Sequence, residues 1–314
     1  MKPARLILVT GKGGSGKSTV AAALALALAE RGPTTLVDLD QRMRAARMLG
    51  VAAESGESNE QREVGGAVSD NGGIENLEVT GVTQRSELDA FIERIVPIKA
   101  VARRMLASRT FGYVTAALPG LEAFLVLERM RLIAGRAALE DRHAVVDAPA
   151  TGGAIELLSV VGGVRELAPM GTLNRLASGV DNFIRDPNLF GVILTLTPHE
   201  LSLREALDAA RTIRKRLGAS VIGAILNGGA RPFFSAAEMA ELDARDMGAA
   251  ALARWRNGGE FAARARRELA AAGVPVIKLP MLFEPMMGRR EMAALSRYLA
   301  AGLRRSAGVD GSER

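Results

Sequence analysis

An α/β fold, with a mostly parallel sheet flanked by helices and an α-helical insertion, is expected from three features of the chain. Short apolar runs alternate with longer helical patterns through most of its length, the order that builds parallel strands with helical crossovers. A glycine-rich stretch, Gly11 to Thr19, separates the apolar run Leu6-Ile7-Leu8-Val9 from an Ala/Leu-rich run, so strand, loop and helix follow one another. From Glu87 to about Glu140 strand signals vanish and the pattern turns helical, divided by Pro119-Gly120. The 314 residues, 48% of them hydrophobic, are enough for one large domain carrying such an insertion.

Taken in order, Leu6 to Thr10 is the first strand and Lys17 to Arg31 its helix, broken by Gly32-Pro33. Thr34 to Asp40 reads as the next strand with a polar exit. Ala53 to Gly73, rich in Gly, Ser, Glu and Asn, reads as a mobile loop, and Leu77 to Val82 as a strand. The insertion takes residues 85–140, leaving 1–84 and 141–305 as a discontinuous core. His143 to Asp147 returns to strand, and Phe190 to Thr197 is the next strand assigned, followed by the helix Glu200 to Leu217. Ala219 to Leu226 and Pro275 to Leu279 are strands; Ala236 to Arg245, Glu260 to Ala272 and Glu291 to Leu303 are helices. Residues 306–314 read as a disordered tail, and no internal repeat is present.

The spacing Gly11-x4-Gly16-Lys17-Ser18 is that of a Walker A phosphate-binding loop. Glycines let backbone N–H groups turn inward around a phosphate, and the helix N-terminus adds its dipole. Gly11, Gly13, Gly14, Ser15, Gly16, Lys17, Ser18 and Thr19 are therefore candidate nucleotide-binding residues, with Lys17 on the β and γ phosphates and the Ser18 hydroxyl on Mg²⁺. A P-loop NTPase that binds a nucleoside triphosphate and Mg²⁺ is the expectation. The same residues spell Gly11-x-Gly13-x-x-Gly16 with Asp38 about 20 residues on, the dinucleotide fingerprint. A dehydrogenase has no use for Lys17-Ser18 after the last glycine, which disfavours that reading. Ala144-Val145-Val146-Asp147 is an apolar strand ending in aspartate, the form of a second Mg²⁺ anchor at a strand's carboxyl end. A lone aspartate there also suits a helix cap.

Lys12 as the second loop residue resembles the deviant Walker A loop of the superfamily that holds arsenite-pump ATPases, tail-anchored-protein targeting ATPases, MinD, ParA and the nitrogenase iron protein. Asp147-Ala148-Pro149-Ala150-Thr151-Gly152 resembles the switch II segment of the arsenite-pump and tail-anchor-targeting branch, with Gly153 where a histidine usually stands. Leu118 to Glu122 resembles that branch's Pro-Gly element in the insertion, and Leu279 to Pro285 its late loop over the adenine. The resemblance implies an ATPase that works as a nucleotide-closed dimer. It implies that Lys12 reaches the partner's nucleotide, Asp40 orients the attacking water, and Asn227 and Pro280 flank the adenine. A side-chain amide can pair both a donor and an acceptor on adenine, although a turn asparagine before Gly228-Gly229 accounts for Asn227 equally. Asp38 lies within its strand and stands behind Asp40. Gln41-Arg42-Met43 replaces the branch's Pro-Ala-His, so slow hydrolysis is expected.

With no cysteine, the chain has no disulfide, thiolate metal site, iron–sulfur ligand or thiol site for a metalloid. The net charge of +6 comes from scattered basic residues with no dense block, so nucleic acid is not an expected partner. No apolar stretch approaches the ~18 residues of a membrane span, and the first strand begins too early for a signal peptide. A cytoplasmic protein, or one peripheral at the membrane, is expected, as a homodimer or paralogous heterodimer. Apolar residues of the insertion, among them Val96, Met105, Phe111, Phe124 and Met130, offer a surface for a protein or membrane-protein client, or else pack the insertion on the core. The alternative is a MinD- or ParA-like positioning switch that binds membrane or DNA. In that case the stripe Met292, Leu295, Leu299 and Leu303, ringed by arginines, lies on a membrane rather than in the core.

Overall fold

The computed structural model describes residues 4–40, 42–51, 67–68, 74–95, 120–167, 169–229, 238, 241, 249–282, 284 and 287–306. The described strands are β1 (Leu6–Gly11), β2 (Thr34–Asp38), β3 (Ala67–Val68), β4 (Leu77–Gly81), β5 (His143–Asp147), β6 (Phe190–Leu196), β7 (Val221–Gly229) and β8 (Val276–Pro280). They form one sheet in the order β3-β4-β2-β5-β1-β6-β7-β8. Every pairing is parallel except β3 with β4. The described helices are α1 (Lys17–Ala29), α2 (Arg44–Met48), α3 (Gln84–Ile95), α4 (Leu121–Leu139), α5 (Thr151–Leu167), α6 (Gly171–Arg185), α7 (Glu200–Leu217), α8 (Ala249–Ala271) and α9 (Arg289–Ser306).

The pleat divides the core in two. Leu6 and Leu8 of β1 with Ala144 and Val146 of β5 face the layer that holds α4 to α7. Ile7, Val9 and Val145 face the layer that holds α1, α2 and α9. Both faces of the sheet are covered, which is why the central strands β1, β5 and β6 are near-continuous apolar runs instead of alternating. Helix α1 is apolar all round because Val20 to Ala29 is buried between the sheet and α9.

Helix α4 is part of this core. Its Phe124, Leu127 and Met130 are fully buried in the cluster that holds Leu6 and Val146, and α3 packs on it. Residues 96–119, with most of the apolar side chains expected to receive a client, lie outside the described residues. So do almost all of the expected helix Ala236 to Arg245, the tail from 307, Gln41, Phe283 and Pro285. In α9 the stripe Met292, Leu295, Leu299 and Leu303 is buried against the α1 layer, while Arg289, Arg290, Arg297, Arg304 and Arg305 are exposed. That stripe is a docked core face. Among the described residues no helix is long and apolar enough to cross a membrane.

Several local expectations change. Helices α5 and α6 fill a stretch in which the sequence suggested no element. Gly152, Gly153, Gly162 and Gly163 depress the helix propensity of α5, yet Ala154, Leu157, Leu158, Val161 and Val164 give it one buried stripe. A short antiparallel β3 interrupts the segment read as a loop. Helix α8 begins at Ala249 rather than near Glu260. Strand β7 runs to Gly229, with a register shift against β8 after Leu226, so Asn227 is a strand residue and not a turn residue.

Candidate nucleotide site

Strand β1 lies between β5 and β6; the connection after β1 runs to β2 on one side of it, and the connection after β5 runs to β6 on the other. Open α/β sheets bind ligands in the crevice at such a switch point, beyond the strands' carboxyl ends. The loop from Gly11 to Gly16 occupies that position. Gly14 (φ 80°) and Gly16 (φ 83°) are left-handed, which bends the backbone into a cradle. A Cβ on Gly11 would stand 2.2 Å from the carbonyl and hydroxyl oxygens of Thr195, so only glycine fits there. Gly16 caps α1 and no side chain satisfies the helix's first turn, whose N–H groups remain for an anion.

The surroundings pin this loop from three strands. Ser15 Oγ and Thr195 Oγ1 lie 2.6 Å apart, and the Thr195 hydroxyl also donates to the Thr10 carbonyl at 3.2 Å. The Thr10 hydroxyl donates to the Pro149 carbonyl at 2.7 Å, tying β1 to the segment after β5. Asn227 Nδ2 donates to the Ser15 carbonyl at 3.0 Å, which leaves its Oδ1 as an acceptor. Pro280 pairs in register with Gly229, two residues beyond Asn227, so Asn227 and Pro280 lie near the ends of adjacent strands. Thr19 turns its hydroxyl to Met48 Sδ at 3.7 Å. Thr10 and Thr195 were not among the residues expected from the sequence. Their signal was a hydroxyl inside an otherwise apolar strand.

The charged groups fall into two sets. Lys17 Nζ bonds the Lys12 carbonyl at 3.4 Å, so its ammonium stays with the loop. Burial lowers its pKa, opposed by the carboxylate of Asp147 and assisted by the charge of Arg44. Asp147 ends β5 and is buried. Burial pushes its pKa up to about 7, against the lowering effect of the nearby Ser18 hydroxyl and of the Lys17 charge. Asp147 Oδ1 has no hydrogen-bond partner. The second set lies after β2. Asp38 Oδ1 accepts from Asp40 N–H at 2.9 Å and its Oδ2 from Ala45 N–H at 3.1 Å, so Asp38 shapes the turn. Asp40 pairs with Arg44 Nε at 3.0 Å. Met43 (φ 48°) completes the turn by donating to the Asp40 carbonyl at 2.8 Å. Lys12 leaves the loop and pairs with Glu205 of α7 at 2.7 Å. Nothing in the sequence marked Arg44 or Glu205.

The donor set fits Mg²⁺. A buried carboxylate oxygen without a partner, on the carboxylate that a serine hydroxyl already contacts, is a site that a cation would complete. Among the described residues no cluster of three acidic or histidine ligands exists.

A family model described as anion-transporting ATPase matches residues 4–178, from β1 into the middle of α6. A curated ATPase of Mycobacterium tuberculosis named BagA is 30% identical over 211 residues, 65% of this chain. A protein of Mycobacterium bovis matches with the same figures. The match spans 59% of the length of these relatives.

Proposed function

Since the chain belongs to the anion-transporting ATPase family, we propose that it is an ATP-hydrolysing dimeric switch. The observation that carries this reading is the Asp147 carboxylate, buried with one unpaired oxygen beside Ser18 and Lys17 at the mouth of a glycine cradle.

In this reading the backbone N–H groups of residues 13 to 18 hold the phosphates, and Lys17 offsets the charge on the β and γ oxygens. Ser18 and Asp147 hold Mg²⁺, which when bound neutralises charge that develops on those oxygens. Asp40 accepts a proton-bearing water and aims it at the γ phosphorus once Arg44 yields its carboxylate. Asn227 Oδ1 accepts from the adenine amino group, with the amide oriented by the Ser15 carbonyl, and Pro280 borders the base. Lys12 completes the partner's site, so hydrolysis opens the dimer and changes its affinity for a client protein bound at the helical insertion. A heterodimer in which this chain is the slower subunit is the second reading, favoured by the Asp40–Arg44 pair that occupies the candidate water-orienting group. No thiol-based metalloid site belongs to either.

Calorimetry with Mg·ATP on the wild type and on Asp147→Asn tests the site. The expected result is nucleotide binding whose Mg²⁺ dependence is lost in the variant. Unchanged Mg²⁺ dependence overturns the assignment.

A further inference from the structure

The two lysines of the Walker A stretch take different partners. The main chain of Lys12 belongs to the loop: its carbonyl accepts from Ser15 N–H at 3.1 Å and from Lys17 Nζ at 3.4 Å. Its side chain leaves, and Nζ lies 2.7 Å from Glu205 Oε1, 193 residues further along the chain. Both side chains are part-exposed, at 37% and 40%, so the pair sits at the surface where another molecule can compete for either member. Glu205 is the carboxylate of this part of α7 that reaches the loop. Glu200, at the start of the helix, is taken by Arg204 at 3.0 Å and by Arg264. Leu201, one turn before Glu205 on the same helix face, is 58% exposed and adds apolar surface beside the pair.

From this geometry we infer that Glu205 is a positioning residue that holds Lys12 within its own subunit and releases it when a nucleotide-loaded dimer closes. The inference rests on the dimer reading above. An exposed lysine–carboxylate pair is weak and reversible. A polyphosphate offers several charged acceptor oxygens where Glu205 offers one carboxylate, so a partner's nucleotide wins the ammonium and an empty partner does not. Glu205 thereby opposes closure in the absence of nucleotide, and each subunit must break one such pair for the dimer to form.

Sedimentation of wild type, Glu205→Gln and Glu205→Asp with Mg²⁺ and a non-hydrolysable ATP analogue tests this. Glu205→Gln keeps the shape and removes the charge. Its dimer dissociation constant is expected to fall roughly 3- to 20-fold, because one pair per subunit no longer has to break. Half-maximal ATP turnover should come at a correspondingly lower protein concentration. The difference between wild type and Glu205→Gln should shrink in about 1 M salt, which screens the pair, and Glu205→Asp should lie close to wild type. A role in folding alone would lower the melting temperature and leave dimer affinity in place. If wild type dimerises with nucleotide and Glu205→Gln dimerises equally or more weakly, the inference is overturned while the dimer reading stands. If wild type remains monomeric with nucleotide at every concentration, both fall.

Discussion

Asn227 reaches from the end of β7 to the P-loop and donates its amide to the Ser15 carbonyl at 3.0 Å. The contact is close enough that a Cβ on Gly16 would stand 2.1 Å from the same nitrogen. A residue 212 positions away therefore braces the phosphate cradle. Replacing it by alanine removes one hydrogen bond, worth about 0.5–1.5 kcal/mol, and the acceptor proposed for adenine. Asn227→Ala is expected to weaken ATP binding by up to about tenfold and GTP binding by less, measured by calorimetry. An equal loss for both nucleotides leaves Asn227 as a tie for the loop and removes its base-reading role.

Lys17 has its ammonium on the loop and a pKa lowered by burial, so part of its solvation is already lost before phosphates arrive. Lys17→Ala should weaken Mg·ATP binding by at least the ~1.5–3 kcal/mol of a charged hydrogen bond. Unchanged affinity in this variant would rule out the P-loop assignment. Binding of NAD(H) instead of ATP would favour the dinucleotide reading.

Asp147 gives the nucleotide-free protein a pH signature. Its folded-state pKa of about 7 lies above the ordinary 3.8, so the folded chain keeps a proton that the unfolded chain releases. Stability should therefore decline as pH rises from about 4 to about 7 and level off above, by about 4 kcal/mol in the limit of that shift. Burial lowers the pKa of His143, which gives the opposite slope below its ordinary 6.5. The difference between wild type and Asp147→Asn in denaturant midpoint against pH isolates the carboxylate. Parallel profiles for the two proteins would refute the prediction.

Gly11 tests the packing of the cradle. Its added methyl would meet a main-chain oxygen of Thr195 at 2.2 Å, which no rotamer change relieves. Gly11→Ala should cost about 1–3 kcal/mol, seen as a lower denaturant midpoint with an unchanged slope. Gly13, with nothing within 4 Å of an added Cβ, should accept alanine with little loss of stability.

The absence of cysteine excludes the soft sulfur ligands that a trivalent metalloid needs. Arsenite and antimonite at micromolar levels should leave ATP turnover unchanged in a steady-state assay. Stimulation by either would contradict this expectation.

Sequence-local physics made much of the fold legible. The strands around the site are continuous apolar runs because both faces of the sheet are covered, and the loop residues follow from what backbone must do around a phosphate. Asp147 was legible as the polar end of such a run. Where the reading failed, packing overrode local propensity. Helix α5 forms despite four glycines because its stripe is buried, and Asn227 extends a strand through a Gly-Gly pair that alone suggests a turn.

The amino-acid sequence by itself determined the α/β order, the phosphate loop with Lys17 and Ser18, the aspartates at the ends of β2 and β5, and the exclusion of thiol chemistry. Each of these is a property of a short segment and its backbone. Only the tertiary structure decided that Thr195 and Asn227 hold the loop, that Arg44 engages Asp40, that Glu205 engages Lys12, and that the stripe of α9 is core. The Thr195, Asn227 and Glu205 contacts join residues about 180 to 210 positions apart. The turn set by Asp38 brings Arg44 back to Asp40, and the cover of the sheet by α1 takes up the α9 stripe. Spacing along the chain carries no record of which surfaces the sheet brings face to face.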